Sequence, residues 1–203
     1  MRYGPLIFVG IFLTLASSWC GLVLMPQIQL GRQQAVKIEE TGEIYPTPRS
    51  GLAQQGFEIY RANGCIYCHS QQVRPEGFGA DILRNWGQRR TVARDYLYDK
   101  PVMLGTMRTG PDLTNIGLRQ TSAAWHLLHL YNPRIVSKGS IMPPFPFLFE
   151  KKKIGSRLSP DALKLPPEFA LEPGYEIVPR PEARALVQYL LSLKANAPLP
   201  EAK

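Results

Sequence analysis

The chain has 203 residues, 44% apolar and 20% charged, which excludes a disordered protein and leaves room for one ordinary domain plus flanking segments rather than two full domains. A net charge of +8 suits phospholipid head groups, an acidic protein face or an anionic cofactor. It does not point to nucleic acid, because the basic residues are scattered and the densest run, Lys151 to Lys153, has no interleaved aromatics and reads as a solvated loop.

The first element in chain order is apolar. No charged residue stands between Arg2 and Arg32, and Pro5 to Met25 is 21 residues, about 30 Å as a helix and enough to cross a bilayer. A cleaved signal is the competing reading, but no small-x-small site follows. The stretch L-A-S-S-W-C loosely resembles a lipoprotein signal, yet Trp19 is bulky where a small residue belongs, so Cys20 reads as an apolar residue of the helix. The expectation is a retained transmembrane anchor over 1–26 in a lipid bilayer, then a polar connector over 27–50. Arg2 alone before the helix leaves the positive-inside count undecided.

The folded domain is expected over 51–194, with 195–203 as a loose Pro- and Ala-rich tail. It opens on G-L-A-Q-Q-G-F-E-I-Y-R-A-N-G, where Phe57 and Tyr60 have helical spacing. Directly after it comes G-C-I-Y-C-H-S at 64 to 70. A C-x-x-C pair serves as a redox dithiol, half of a zinc site or a haem anchor. No strand-helix-strand pattern surrounds it, and the only other Cys and His residues are Cys20, His126 and His129, which lack the spacing of a second zinc half-site. The adjacent histidine selects the third reading: Cys65 and Cys68 as thioether anchors for one haem c, His69 as an iron ligand.

Further along, R-T-G-P-D-L-T-N-I-G at 108 to 117 contains a Gly-Pro turn. Pro111 resembles the cytochrome c element whose carbonyl accepts the proximal histidine's second N–H, and Arg108 is a candidate partner for a haem propionate. The stretch S-A-A-W-H-L-L-H-L-Y predicts a helix capped by Ser122 or Thr121 and ended by Asn132-Pro133. In G-S-I-M-P-P-F, prolines stiffen a loop that can present Met142 as the sixth ligand; His126 or His129 is the alternative. Residues 151–179 look like an insertion that needs a partner surface to order it. The last element, P-E-A-R-A-L-V-Q-Y-L-L-S-L-K, is an amphipathic helix expected to cross the haem-motif helix. The fold class expected is mainly α: one N-terminal transmembrane helix and a cytochrome c-like helical domain with long Pro/Gly-rich loops.

These stretches together resemble a specific family, the membrane-anchored mono-haem subunit II of cbb3-type cytochrome c oxidases. The resemblance rests on G-C-I-Y-C-H-S-Q-Q-V-R-P, Y-D-K-P, R-T-G-P-D-L and W-H-L-L-H-L-Y-N-P-R through S-I-M-P-P-F. S-Q-x-V-R-P after the histidine is its most selective part. N-W-G-Q-R-R-T-V-A-R-D-Y departs from the family pattern. The resemblance implies covalent haem on Cys65 and Cys68, iron ligation by His69 and Met142, and Gln72, Arg74 and Arg108 near the haem or at a subunit contact.

It also implies an electron-transfer subunit with no catalytic centre of its own. Electrons would come from a di-haem cytochrome c subunit or a soluble cytochrome and go to a haem-copper catalytic membrane subunit. The expected location is the bacterial inner membrane with the haem domain on the periplasmic side. A nitric oxide reductase-like complex and a stand-alone anchored shuttle are the other readings.

Overall fold

The structure is a computed structural model that describes residues 3–202. Met1, Arg2 and Lys203, at the expected start of the anchor and end of the tail, lie outside the described residues. The chain divides into two units: residues 1–46 with 93–97, and residues 47–92 with 98–203.

The first unit begins with helix α1, Gly4–Leu30, long and apolar enough to span a membrane. Its 27 residues measure about 40 Å at 1.5 Å each, so it outlasts the roughly 30 Å hydrocarbon layer. The helix therefore runs past the expected boundary at 26. Pro5 stands in the first turn, where its missing N–H costs nothing. Pro26 sits inside, and the helix accommodates it with a π turn over Cys20–Leu24, in which the Met25 N–H donates to the Cys20 carbonyl. The Thr14 and Ser17 hydroxyls donate to the carbonyls of Gly10 and Thr14 at 2.9 and 3.1 Å. Both hydroxyls are thus satisfied within the helix itself.

In the connector, β1 (Val36–Lys37) and β2 (Ile44–Tyr45) form a short antiparallel hairpin with Val36 opposite Tyr45. Tyr45 donates its hydroxyl to Asp95 at 2.6 Å.

The second unit is built on helices α2 (Gly51–Ala62) and α5 (Pro181–Ser192). Ser50 caps α2 by accepting from the Ala53 N–H. The helices approach so closely that a Cβ on Gly56 would lie 2.0 Å from the Ala185 carbonyl oxygen, so only glycine fits at the crossing. Around it Phe57, Tyr60, Leu186 and Tyr189 are buried, and Tyr189 packs against Phe57 edge-on at 5.7 Å and against Tyr60 at 5.2 Å. Burying side chains of this size contributes roughly 1.5–3 kcal/mol each. The short helix α3 (Ile116–Arg119) repeats the device, with Gly117 against the Leu191 carbonyl. Helix α4 (Ala123–Tyr131) is capped by Ser122, whose hydroxyl accepts from the Trp125 N–H at 3.2 Å.

Three expectations need correction. The Lys151–Lys153 run is not a loop but part of β3 (Phe149–Lys153), antiparallel to β4 (Tyr175–Pro179) with Lys151 opposite Ile177. The segment between the strands is ordered by the domain itself: Leu163, Leu165 and Leu171 pack on the core and Ile177 is buried in it. The tail is not loose, since Leu199 and Ala202 are buried, Arg89 Nε donates to the Ala197 carbonyl at 2.6 Å, and Arg90 donates to the Glu201 carbonyl.

Candidate haem site

The motif follows immediately on the end of α2. Gly64 takes a left-handed conformation (φ 67°) that stops the helix, and Cys65–Tyr67 continue as a single 3₁₀ turn. The Cys68 and His69 N–H groups both donate to the Cys65 carbonyl, at 3.2 and 3.0 Å. This single turn presents two thiols and an imidazole together. Both cysteines are free. Burial pushes the Cys65 thiol up to about 11, the opposite of the depressed thiol that disulfide exchange requires.

His69 Nδ1 lies 2.8 Å from the Pro111 carbonyl oxygen. That bond fixes the tautomer with the proton on Nδ1 and leaves Nε2 as a ligand. Burial lowers the pKa of the ring, so it is held neutral, with the Pro111 bond pulling the other way. Two backbone bonds lock the loops together: Gly110 N–H to the Cys68 carbonyl at 2.9 Å and Leu113 N–H to the Ser70 carbonyl at 2.8 Å.

Cys65, Cys68, His69, Pro111 and Met142 all line one cavity of about 630 Å³, a size in the range of cofactor sites. The loop carrying Met142 is pinned after it by the Phe145 N–H, which donates to the Leu130 carbonyl at 2.9 Å. Among the described residues the cavity wall is mostly apolar, contains no carboxylate and carries two cations, Arg119 and Lys138. His129 also lines it, stacked on Trp125 at 4.6 Å, with a buried Nδ1 that has no hydrogen-bond partner. A flat, largely apolar macrocycle with two carboxylates fits these residues: it fills the apolar wall and meets cations rather than carboxylates. His126 differs, because its Nε2 is held 2.9 Å from the Gln120 carbonyl.

Arg108 is not on the cavity wall. Its guanidinium donates to Asp81 at 2.6 Å, to the Ser70 hydroxyl at 2.8 Å and to the Gln72 carbonyl, and it lies over the Trp86 ring. With its donors engaged there, it does not reach into the cavity. Arg119, which sequence reasoning missed, occupies the wall, with one N–H donated to the Asp112 carbonyl. Its position at the end of G-P-D-L-T-N-I-G-L-R was the signal.

Two buried carboxylates were missed as well. Asp81 bridges Arg74 and Arg108; burial works to raise its carboxyl, but those two guanidiniums outweigh it and hold the pKa down at about 2. Asp112 accepts from the Ser70 hydroxyl at 2.6 Å and from the Gln72 and Thr114 N–H groups at 2.8 Å each.

A family model described as cytochrome c oxidase, mono-heme subunit/FixO, matches residues 4–169, most of the chain. No curated protein matches.

Proposed function

The chain belongs to the mono-haem subunit/FixO family of cytochrome c oxidases, and on that premise we propose that it holds one haem c in the cavity behind His69 and relays electrons to the oxygen-reducing subunit of a cbb3-type oxidase. The carrying observation is the 2.8 Å contact of His69 Nδ1 with the Pro111 carbonyl beside two cysteines, in a cavity that Met142 also lines. The chain is thus an oxidase subunit with one candidate membrane-spanning helix. The match to residues 4–169 favours this reading over a nitric oxide reductase-like subunit or a free shuttle.

When bound, haem c supplies a one-electron couple. The protein's own part is attachment and placement. Cys65 and Cys68 would hold the macrocycle as thioethers, and His69 Nε2 and the Met142 sulfur would be its iron ligands, a pair that favours a high potential. Leu113, Leu130 and Leu186 on the wall exclude water. Arg119 and Lys138 on the wall would be the cations available to its propionates. Covalent haem attachment takes place on the outer face of the bacterial inner membrane, which puts this domain in the periplasm. The donor is a neighbouring di-haem cytochrome c subunit or a soluble cytochrome.

The test is an optical spectrum of the detergent-purified protein, oxidised and reduced, with a near-infrared scan for the methionine–iron band. The band is expected in the native chain and absent in Met142→Ala. A haem protein that lacks the band from the start would transfer the sixth position to His129.

A further inference from the structure

Asp112 stands next to Pro111, whose carbonyl holds the His69 ring, and it is wholly buried. One carboxylate oxygen takes the Ser70 hydroxyl at 2.6 Å and the Gln72 N–H at 2.8 Å; the other takes the Thr114 N–H at 2.8 Å. Ser70 and Gln72 belong to the loop that leaves His69, while Thr114 belongs to the loop that carries Pro111. The carboxylate therefore joins the strand of chain bearing the imidazole to the strand bearing its hydrogen-bond acceptor. The nearest cation to the carboxylate is not bonded to it: Arg108 stands 3.9 Å away and is already paired with Asp81, while Arg119 donates to the Asp112 backbone carbonyl.

Resting on the haem reading above, we propose that Asp112 is a positioning residue that sets the redox potential of the site, by fixing the Pro111 carbonyl on His69 and by placing a buried negative charge beside that ring. Both contributions have the same sign. A firmly held acceptor gives the ring more imidazolate character, which favours the oxidised iron. A nearby negative charge opposes the arrival of an electron, and in a water-poor interior that opposition is large. Asp112 thus lowers the potential below what the ligand pair alone would give. The feature is a trim on a high-potential site, built from a residue that touches neither iron nor macrocycle.

The experiment uses the full-length protein in detergent with its haem. Spectroelectrochemical titration of Asp112→Asn is expected to show a higher midpoint potential, with the reduced-to-oxidised ratio at fixed ambient potential raised threefold or more, roughly 28 mV at 59 mV per tenfold, and with the methionine–iron band retained. An unchanged or lower midpoint overturns the proposal. If Asp112→Asn takes up no haem, Ser70→Ala decides: NMR of the reduced protein should show faster solvent exchange of the His69 Nδ1 proton, and exchange equal to the native rate overturns the proposal. A native chain without covalent haem would overturn the functional reading itself, which the first spectrum reveals.

Discussion

Gly110 lies flat against His69: a Cβ on it would stand 2.2 Å from the ring's Cε1 and 2.6 Å from Nδ1. The turn can deliver the Pro111 carbonyl to the ring only because the preceding residue has no side chain. Gly110→Ala must push the ring or the turn aside, at a cost of about 1–3 kcal/mol for overpacking. The expected outcome is severalfold less covalent haem per protein, read by haemochrome absorbance, and a lower unfolding midpoint for what is made.

The α2–α5 crossing gives a second prediction. Gly56→Ala places a methyl against the Ala185 backbone, which cannot rotate away as a side chain would. The destabilisation expected is about 3 kcal/mol, measured by denaturant unfolding, with the same haem spectrum in the protein that folds.

Arg108 and Arg119 should separate cleanly. Arg119→Gln removes a cation from the cavity wall and is expected to lower the midpoint potential, because positive charge near the site favours the reduced state. Arg108→Gln breaks contacts to Asp81 and Ser70 and is expected to lower thermal stability more than it moves the potential. Titrating both variants alongside the native chain checks the pair.

Asp81 carries the clearest acid dependence. Its folded pKa of about 2 lies below the ordinary carboxylate value, so its contribution is present in full above about pH 4 and is lost as the pH falls toward 2, a total of about 2 kcal/mol. Asp81→Asn should remove that contribution at neutral pH and flatten the acid limb of the stability curve. Unfolding free energies measured from pH 6 to pH 2 in both proteins test this.

The thiols give the last prediction. In Cys65→Ser/Cys68→Ser no haem should remain with the chain after extraction with acidified acetone, whereas the native chain keeps it. Retention in the double variant would remove the thioether assignment.

The parts of the site that were legible in the sequence are those whose chemistry is local. Cys65, Cys68 and His69 stand within five positions, and Gly110-Pro111 declares its own turn. The ion pair of Arg108 with Asp81 was not legible, because Asp81 is 27 residues away and carries no local signal of burial. Asp112 went unnoticed for the same reason: its importance comes from loops that meet only in the fold. The amphipathic stripe of α5 was readable from spacing, but the Lys151–Lys153 strand was not, since three exposed or half-exposed lysines become a strand only through their pairing with Tyr175 to Ile177. The tail was misread because one leucine among prolines looks unanchored until Arg89 and Arg90 are seen holding the backbone on either side.

The π turn in α1 has a geometric effect on any attempt to map its neighbours. One extra residue in a turn rotates everything after it by roughly 100° relative to an unbroken helix. Side chains before Cys20 and after Leu24 that share a stripe on a single helical wheel therefore look in different directions. A cysteine cross-linking scan phased on Gly10 and Thr14 will go out of step beyond Leu24, and the two halves of the helix will report two different sides of their surroundings.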